Sequence, residues 1–171
     1  MLSEAARPNG SGFERKISPV KSRSAASKKK SEKPRLVLDS NVFIWALVFM
    51  GKPREILDLA VKGLVELAVS VDILDEIEGG LGGKKFQYPK RIVHALMREI
   101  EDLADFVEPK AKIEAVLEDP ADNRVLECAV ESGADVIVSG DSHLLELRTF
   151  ARIKIMNPDE FLRWFRKNGG R

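Results

Sequence analysis

Short, mostly apolar runs alternate along the chain with longer segments whose apolar residues recur at helical spacing. The short runs predict buried strands at residues 35–38, 65–69, 136–139 and 153–156. Proline or serine marks the predicted start of most of the helices, at Pro53, Ser70, Pro89, Pro120 and Pro158. Strands that alternate with helices predict an α/β fold, a three-layer sandwich with a mostly parallel central sheet.

The helix predicted from Ser70 runs into the glycine-rich stretch of residues 79–83. Each glycine inside a helix costs up to about 1 kcal/mol relative to alanine, because glycine loses the most backbone freedom on folding. We therefore expect the helix to break at this stretch and a flexible loop to follow. The stretch is not a phosphate-binding loop, because it follows a helix and lacks the Gly-Lys-Ser/Thr ending.

The composition suits one soluble domain. The chain has 171 residues, of which 44% are hydrophobic and 32% charged, and no apolar run is long enough to span a membrane. Cys128 is the only cysteine, so no internal disulfide forms, and we expect a reducing compartment, the cytoplasm. Cys128, His94 and His143 are too few ligands for a structural zinc cluster.

The net charge of +1 is the sum of two opposite parts. Residues 1–33 carry nine Lys or Arg and three Asp or Glu, whereas the other 138 residues carry 19 basic and 24 acidic side chains. The first part has too few large apolar residues to offset its ordering entropy, so we expect a disordered basic leader at 1–33 and a folded domain at 34–171. Three interpretations of the leader stay open: a solvated tail, an organellar transit peptide, and an electrostatic arm that attracts RNA or DNA.

Four acidic residues are expected to meet at one edge of the predicted sheet. Asp39 and Asp141 each follow a predicted strand, and the carboxyl ends of parallel strands share an edge. Glu76 and Asp122 lie near the starts of two predicted helices, which face that same edge in a parallel α/β unit. The sequence therefore predicts one acidic cleft.

Such a cluster needs a compensating charge, because two carboxylates about 5 Å apart at an effective dielectric of about 20 repel by about 3 kcal/mol. Protonation of one acid would relieve the repulsion, but hard oxygen ligands suit Mg²⁺ or Mn²⁺ better. Ions held in this way orient a phosphodiester and activate water for in-line attack. A plainer interpretation stays open, since Asp122 and Asp141 also suit helix N-caps and Glu76 a solvated helix face.

Four segments, taken in order, resemble a PIN domain, and the nearer similarity is to the toxin–antitoxin toxins related to the VapC ribonucleases. The resemblance covers about residues 35–165. The segments are Leu36-Val37-Leu38-Asp39-Ser40-Asn41-Val42, Ser70-Val71-Asp72-Ile73-Leu74-Asp75-Glu76, Glu118-Asp119-Pro120-Ala121-Asp122-Asn123, and Val136-Ile137-Val138-Ser139-Gly140-Asp141-Ser142-His143-Leu144-Leu145.

The resemblance implies a PIN fold and a Mg²⁺- or Mn²⁺-dependent endoribonuclease. By position, the catalytic and metal-binding acids that it implies are Asp39, Glu76, Asp122 and Asp141. The glycine-rich stretch departs from the family pattern, in which a continuous helix follows the second acid. The stretch would then form a mobile flap over the substrate groove, or loosen Glu76.

The resemblance also implies supporting residues and partners. Asn41 and Ser139 resemble the family's polar helpers, which hydrogen-bond the acids or metal-bound water. Asp119 resembles an auxiliary acid, although Asp119-Pro120 also suits a helix start. The implied partners are an RNA substrate, a cognate antitoxin that enters the acidic groove, and a second copy of the chain in a homodimer, with no membrane involved.

Other residues and functions receive plainer interpretations. We expect His143 to be a solvated helix residue rather than a substrate contact, Cys128 to fill the core, and Trp45 to pack in the core or a dimer interface rather than stack on bases. The alternative function is a non-catalytic PIN-like module that binds RNA or a protein partner. A phosphoacceptor role for Asp39 is disfavoured, because no lysine follows a later strand end in the expected way.

Overall fold

The computed structural model describes residues 31–168. Within that range the elements are, in order, β1 (Arg35–Leu38), α1 (Ser40–Val48), α2 (Lys52–Val61), β2 (Glu66–Val69), α3 (Val71–Gly82), α4 (Lys90–Leu103), β3 (Ala104–Phe106), α5 (Pro120–Ser132), β4 (Val136–Val138), α6 (Ser142–Leu147), β5 (Thr149–Phe150), β6 (Ile153–Met156) and α7 (Pro158–Asn168).

The strands form one sheet in the order β3-β2-β1-β4-β6-β5. Every neighbouring pair is parallel except β5 with β6, so the prediction of an α/β fold with a mostly parallel sheet is confirmed. Val37 in β1 pairs with Ala68 of β2 on one side and with Ile137 of β4 on the other. The chain thus builds the sheet outward in both directions from β1, and in such sheets the binding crevice lies at the carboxyl ends of the strands where the order reverses.

Helices cover both faces of the sheet. Leu36, Val37 and Leu38 in β1 are all fully buried. Successive side chains of a strand point to opposite faces, so a strand buried throughout must be covered on each side. The observed architecture is therefore the predicted three-layer sandwich.

The predicted helix break at residues 79–83 is wrong. Helix α3 continues to Gly82, and Leu81 within it is fully buried. Gly80 lies where α3 packs against α1, and a Cβ atom there would lie 2.5 Å from Cδ1 of Ile44. Burial of Leu81 and the close helix contact at Gly80 outweigh the low helix propensity of glycine, so these residues end a helix and do not form a flap.

One face of α5 holds the irregular segment that precedes it. Three side chains spaced four residues apart accept hydrogen bonds from backbone N–H groups three residues apart: Asn123 from Val116 at 2.8 Å, Glu127 from Ile113 at 2.9 Å, and Glu131 from Lys110 at 3.4 Å. The Asn123 amide also donates to the Val116 carbonyl oxygen at 2.7 Å. The three side chains form a stripe along α5. Because the segment that they hold leads to Asp119 and Asp122, the stripe fixes the path of the chain just before these acids.

The leader predicted at 1–33 lies largely outside the described residues. Of the three that are described, Ser31 donates a hydrogen bond from Oγ to Oε1 of Glu66 at 3.2 Å. Within residues 31–168, no helix combines the length and the apolar character that a bilayer crossing requires.

Candidate metal centre

Asp39 links the ends of β1 and β4. Its carboxylate is buried and does not cap α1; Oδ2 accepts a hydrogen bond from the Ser139 hydroxyl at 2.7 Å, and Oδ1 lies 3.4 Å from the donating Ser40 hydroxyl. The Asp39 backbone N–H donates to the Val138 carbonyl at 2.9 Å, which continues the β1–β4 pairing into the site. Asp39 thus projects from the predicted edge of the sheet.

Asp141 is joined to the same serine. It is the N-cap of α6, where Oδ1 accepts the His143 backbone N–H at 2.8 Å, and its own N–H donates to Oγ of Ser139 at 3.0 Å. The Ser139 hydroxyl therefore bridges the backbone of one acid and the carboxylate of the other. The N-cap interpretation of Asp141 is confirmed.

Asp122 lies in the first turn of α5 and is only 4% exposed. Its Oδ2 atom is buried and has no hydrogen-bond partner within the described residues. Burial, first of all, and then the negative charges of Asp141, Asp119 and Asp39 together raise the pKa of Asp122 to about 7. Asp119 is the N-cap of this helix, since its Oδ1 accepts the Ala121 N–H at 3.0 Å.

Glu76 approaches from α3 and is half-buried. Burial raises its pKa, a hydrogen bond with the Ser40 side chain opposes that shift, and the charges of Asp39, Asp119 and Asp72 add to it. The pKa of Asp39 is likewise raised, first by burial and then by the charge of Asp141, against the hydrogen bonds from Ser139 and Ser40. The carboxylates of Asp39, Glu76, Asp122 and Asp141 are therefore linked by electrostatic interactions, as the predicted acidic cleft requires.

Of two further polar residues, His143 is placed differently from the expectation, whereas the helper role of Asn41 stays a prediction. Asn41, predicted as a polar helper, is exposed in the first turn of α1. His143, expected to be solvated, turns Nδ1 toward the acids, 3.4 Å from Oδ1 of Asp141 and 3.8 Å from Oδ2 of Asp122. The sequence signal for His143 was its place in the first turn of the helix that Asp141 caps.

The donor set fits a divalent cation. One ligand atom each from Asp122, Asp141 and His143 lies within 4.8 Å of the others. The partnerless Oδ2 atom of Asp122 is a buried acceptor that a cation would satisfy, and carboxylate oxygens are the ligands that Mg²⁺ and Mn²⁺ prefer. Asp39 and Glu76 are close enough to share this electrostatic environment.

The core alternative for Trp45 is wrong, its dimer-interface alternative stays a prediction, and the expectation for Cys128 is confirmed. Trp45 is 43% exposed and so does not fill the core; it stacks on Phe49 with ring centroids 4.5 Å apart, and Lys85 Nζ lies 4.8 Å from its ring centre. Exposed residues 41 and 45 lie on one stripe of α1 that continues to exposed Phe49 at its C-cap, which explains why Trp45 faces outward. Cys128 is buried in the core, and burial raises the pKa of its thiol to about 12, which rules it out as a nucleophile.

Comparison with known proteins shows similarity of two kinds, to solved structures and to a protein family. In the crystal structure of VapBC2 from Rickettsia felis bound to a DNA fragment from their promoter, one chain superposes with a TM-score of 0.53 at 16% sequence identity, covering 72% of this chain and 98% of that one. No curated protein matches. Residues 35–143, which contain every acid of the site, match the family described as PIN domain. The chain therefore belongs to the PIN domain family.

Proposed function

We propose that this protein is a divalent-metal-dependent endoribonuclease of the PIN type. The observation that carries the proposal is the buried, partnerless Oδ2 atom of Asp122 beside Asp141, in a site that also contains Asp39. Burying one unpaired carboxylate is costly, and burying several together is more so. A bound divalent cation would both neutralise this cluster and satisfy the partnerless oxygen.

Asp39, Glu76, Asp122 and Asp141 are the residues that would hold the ion, Mg²⁺ or Mn²⁺. The raised pKa values of Asp39, Glu76 and Asp122 share a cause, since burial and neighbouring negative charge both disfavour the ionised form. The chemistry that a divalent ion supplies when bound is activation of water for in-line attack on a phosphodiester and stabilisation of the leaving oxygen.

The supporting residues hold the carboxylates in place. Ser139 orients Asp39 through its hydroxyl and Asp141 through its acceptor oxygen. Ser40 contacts both Asp39 and Glu76, which ties the start of α1 to α3. Such contacts reduce the reorganisation needed when a cation and a substrate bind. Asp119 adds negative charge and helps to start α5, while exposed Asn41 is placed to meet a substrate or its water.

The resemblance to toxin–antitoxin toxins is the basis for the proposed substrate, partners and location. We assign RNA as the substrate, a cognate antitoxin as the inhibitory partner, a second copy of the chain as the dimer partner, and the cytoplasm as the location. The fold shared with a chain of the VapBC2 complex supports the antitoxin assignment. The single buried cysteine is compatible with a reducing compartment.

The test is cleavage of single-stranded RNA by the full-length protein with Mn²⁺, with Mg²⁺ and with EDTA. We expect cleavage with either ion and none in EDTA. Asp141→Asn should reduce the rate by at least about a hundredfold, whereas Asp102→Asn, a change at an exposed residue of α4, should leave it unchanged. RNA binding without cleavage, and no thermal stabilisation by millimolar Mn²⁺, would support the alternative of a non-catalytic binding module instead.

A further inference from the structure

His143 presents a buried nitrogen to the acidic site. It lies in the first turn of α6, where its backbone N–H donates a 2.8 Å hydrogen bond to Oδ1 of Asp141, the N-cap residue. This short-range contact holds the ring over the acids and leaves Nδ1 3.4 Å from that same oxygen and 3.8 Å from Oδ2 of Asp122. The placement follows from the local backbone, because the residue two positions after an N-cap aspartate is held by the cap.

The second observation is that this nitrogen and the facing oxygen both lack a partner. Nδ1 of His143 and Oδ2 of Asp122 are buried and make no hydrogen bond within residues 31–168. Their separation is too long for a hydrogen bond, whose usual N···O distance is about 2.9 Å. Two buried polar atoms that face each other without bonding leave room for a third species that satisfies both.

The ring can offer Nδ1 as a lone-pair donor. About 41% of the side-chain surface is exposed although Nδ1 itself is buried, so the exposed surface belongs to the rest of the ring. The tautomer with its proton on Nε2 leaves the Nδ1 lone pair facing the acids, and this is the neutral form in which histidine binds metals.

We propose that His143 Nδ1 is a ligand of the ion held by Asp122 and Asp141, and that this nitrogen makes the site select a first-row transition ion such as Mn²⁺ over Mg²⁺. This inference rests on the proposed function for the presence of the ion. Mg²⁺ takes oxygen ligands in a strict octahedron, whereas imidazole nitrogen binds transition ions well. Compared with a site of oxygen ligands alone, a site with one nitrogen ligand therefore binds Mn²⁺ in preference to Mg²⁺.

The chain is well suited to a direct test, because His94 and His143 are its only histidines. Mn²⁺ is bound to the full-length, untagged protein, its affinity and that of Mg²⁺ are measured by calorimetry, and imidazole ¹⁴N coupling to Mn²⁺ is recorded by pulsed EPR. The same measurements are made on His143→Gln and His143→Asn, and on His94→Gln as the matched control on α4.

We expect wild type and His94→Gln to show the imidazole ¹⁴N coupling, and both His143 variants to lose it while still binding Mn²⁺. The affinity for Mn²⁺ should fall by about tenfold or more in the His143 variants, with a smaller change for Mg²⁺. Circular dichroism checks that the variants are folded. Mn²⁺ binding without ¹⁴N coupling in wild type overturns the ligand role of His143 and leaves the proposed function intact, whereas no binding of either ion overturns both.

Discussion

The Ser139 hydroxyl donates a 2.7 Å hydrogen bond to Oδ2 of Asp39, although the two residues are 100 positions apart in the chain. Both groups are buried, and each follows one of two adjacent parallel strands. A charge-assisted hydrogen bond of this kind is stronger than a neutral one. It ties the first acid of the site to the strand end that leads to Asp141.

Replacing Ser139 by alanine should therefore weaken both stability and activity. The change leaves the buried Asp39 carboxylate without its shortest hydrogen bond, so we expect the free energy of unfolding to fall by about 1–3 kcal/mol. Urea unfolding measures the loss. Ser132→Ala is the control, because that hydroxyl donates only to a carbonyl of its own helix at 3.2 Å. Equal stability losses in the two variants would contradict the special role of the Ser139–Asp39 contact.

Replacing Asp122 by asparagine should stabilise the metal-free protein, and increasingly so as the pH rises. The folded-state pKa of about 7 lies above the ordinary value of 3.8, so the protonated group stabilises the fold fully below pH 3.8 and this contribution is lost as the pH rises through 7. Asparagine has no such titration. In EDTA, the stability difference between Asp122→Asn and wild type should therefore increase from pH 5 to pH 8.

The control for this pH series is Asp102→Asn on the exposed side of α4. This variant removes one surface carboxylate and leaves the buried site intact, so it separates the effect of net charge from that of burial. If the Asp122→Asn difference were constant, or decreased with rising pH, the assigned environment of Asp122 would be wrong.

Replacing Asn123 by alanine should release the segment before α5. The amide makes two buried hydrogen bonds to the backbone of Val116, and without them a buried N–H and a buried carbonyl lose their partners. We expect a loss of about 2–4 kcal/mol in the free energy of unfolding and faster amide exchange in residues 107–119. Glu131→Gln, at the longer and exposed end of the same stripe, should cost less than about 0.5 kcal/mol. Unchanged exchange in Asn123→Ala would refute the stripe's role.

Alanine at Gly79 and at Gly80 should have different effects on stability. A Cβ atom at Gly79 meets nothing within 4 Å, so Gly79→Ala should stabilise α3 by about 0.5–1 kcal/mol. At Gly80 the added atom would lie 2.5 Å from Cδ1 of Ile44, so the same change should be less favourable by about 1 kcal/mol or more.

The matched test is a double-mutant cycle with Ile44→Val, which removes the clashing Cδ1 atom. Thermal or urea unfolding should show that Gly80→Ala is better tolerated in the Ile44→Val background than in wild type. No coupling between the two changes would mean that the close contact of α1 and α3 is not what requires glycine.

Much of this fold could be predicted from the sequence because its signals are local. Apolar runs mark β1, β2, β4 and β6, and Pro, Ser and Gly mark helix ends, as at Gly133, whose φ of 65° closes α5. The two-residue strand β5 has no apolar pattern of its own and exists by pairing with β6. The full length of helix α3 could not be predicted, because the compensating contact of Gly80 is made with Ile44, a residue far away in the chain.

The candidate site, too, could be predicted only in part from the sequence. The meeting of Asp39, Asp122 and Asp141 could be predicted from the strand ends and helix starts in the sequence, since the topology of the sheet fixes those positions. The orientation of His143 and the backbone contacts of Asn123 depend on side-chain geometry in three dimensions, to which a single sequence gives only a weak signal. The disorder and the role of the basic leader stay predictions, because the leader lies mostly outside the described residues.

We expect the carboxylates of Asp39, Glu76, Asp122 and Asp141 to share a divalent ion. The measurement that tests it most directly is the anomalous difference map of a crystal of the full-length protein soaked in Mn²⁺. We expect a peak within ligand distance of Asp39, Asp122 and Asp141. A map at saturating Mn²⁺ with no peak at these carboxylates, in a protein that is folded and otherwise ordered there, would contradict it.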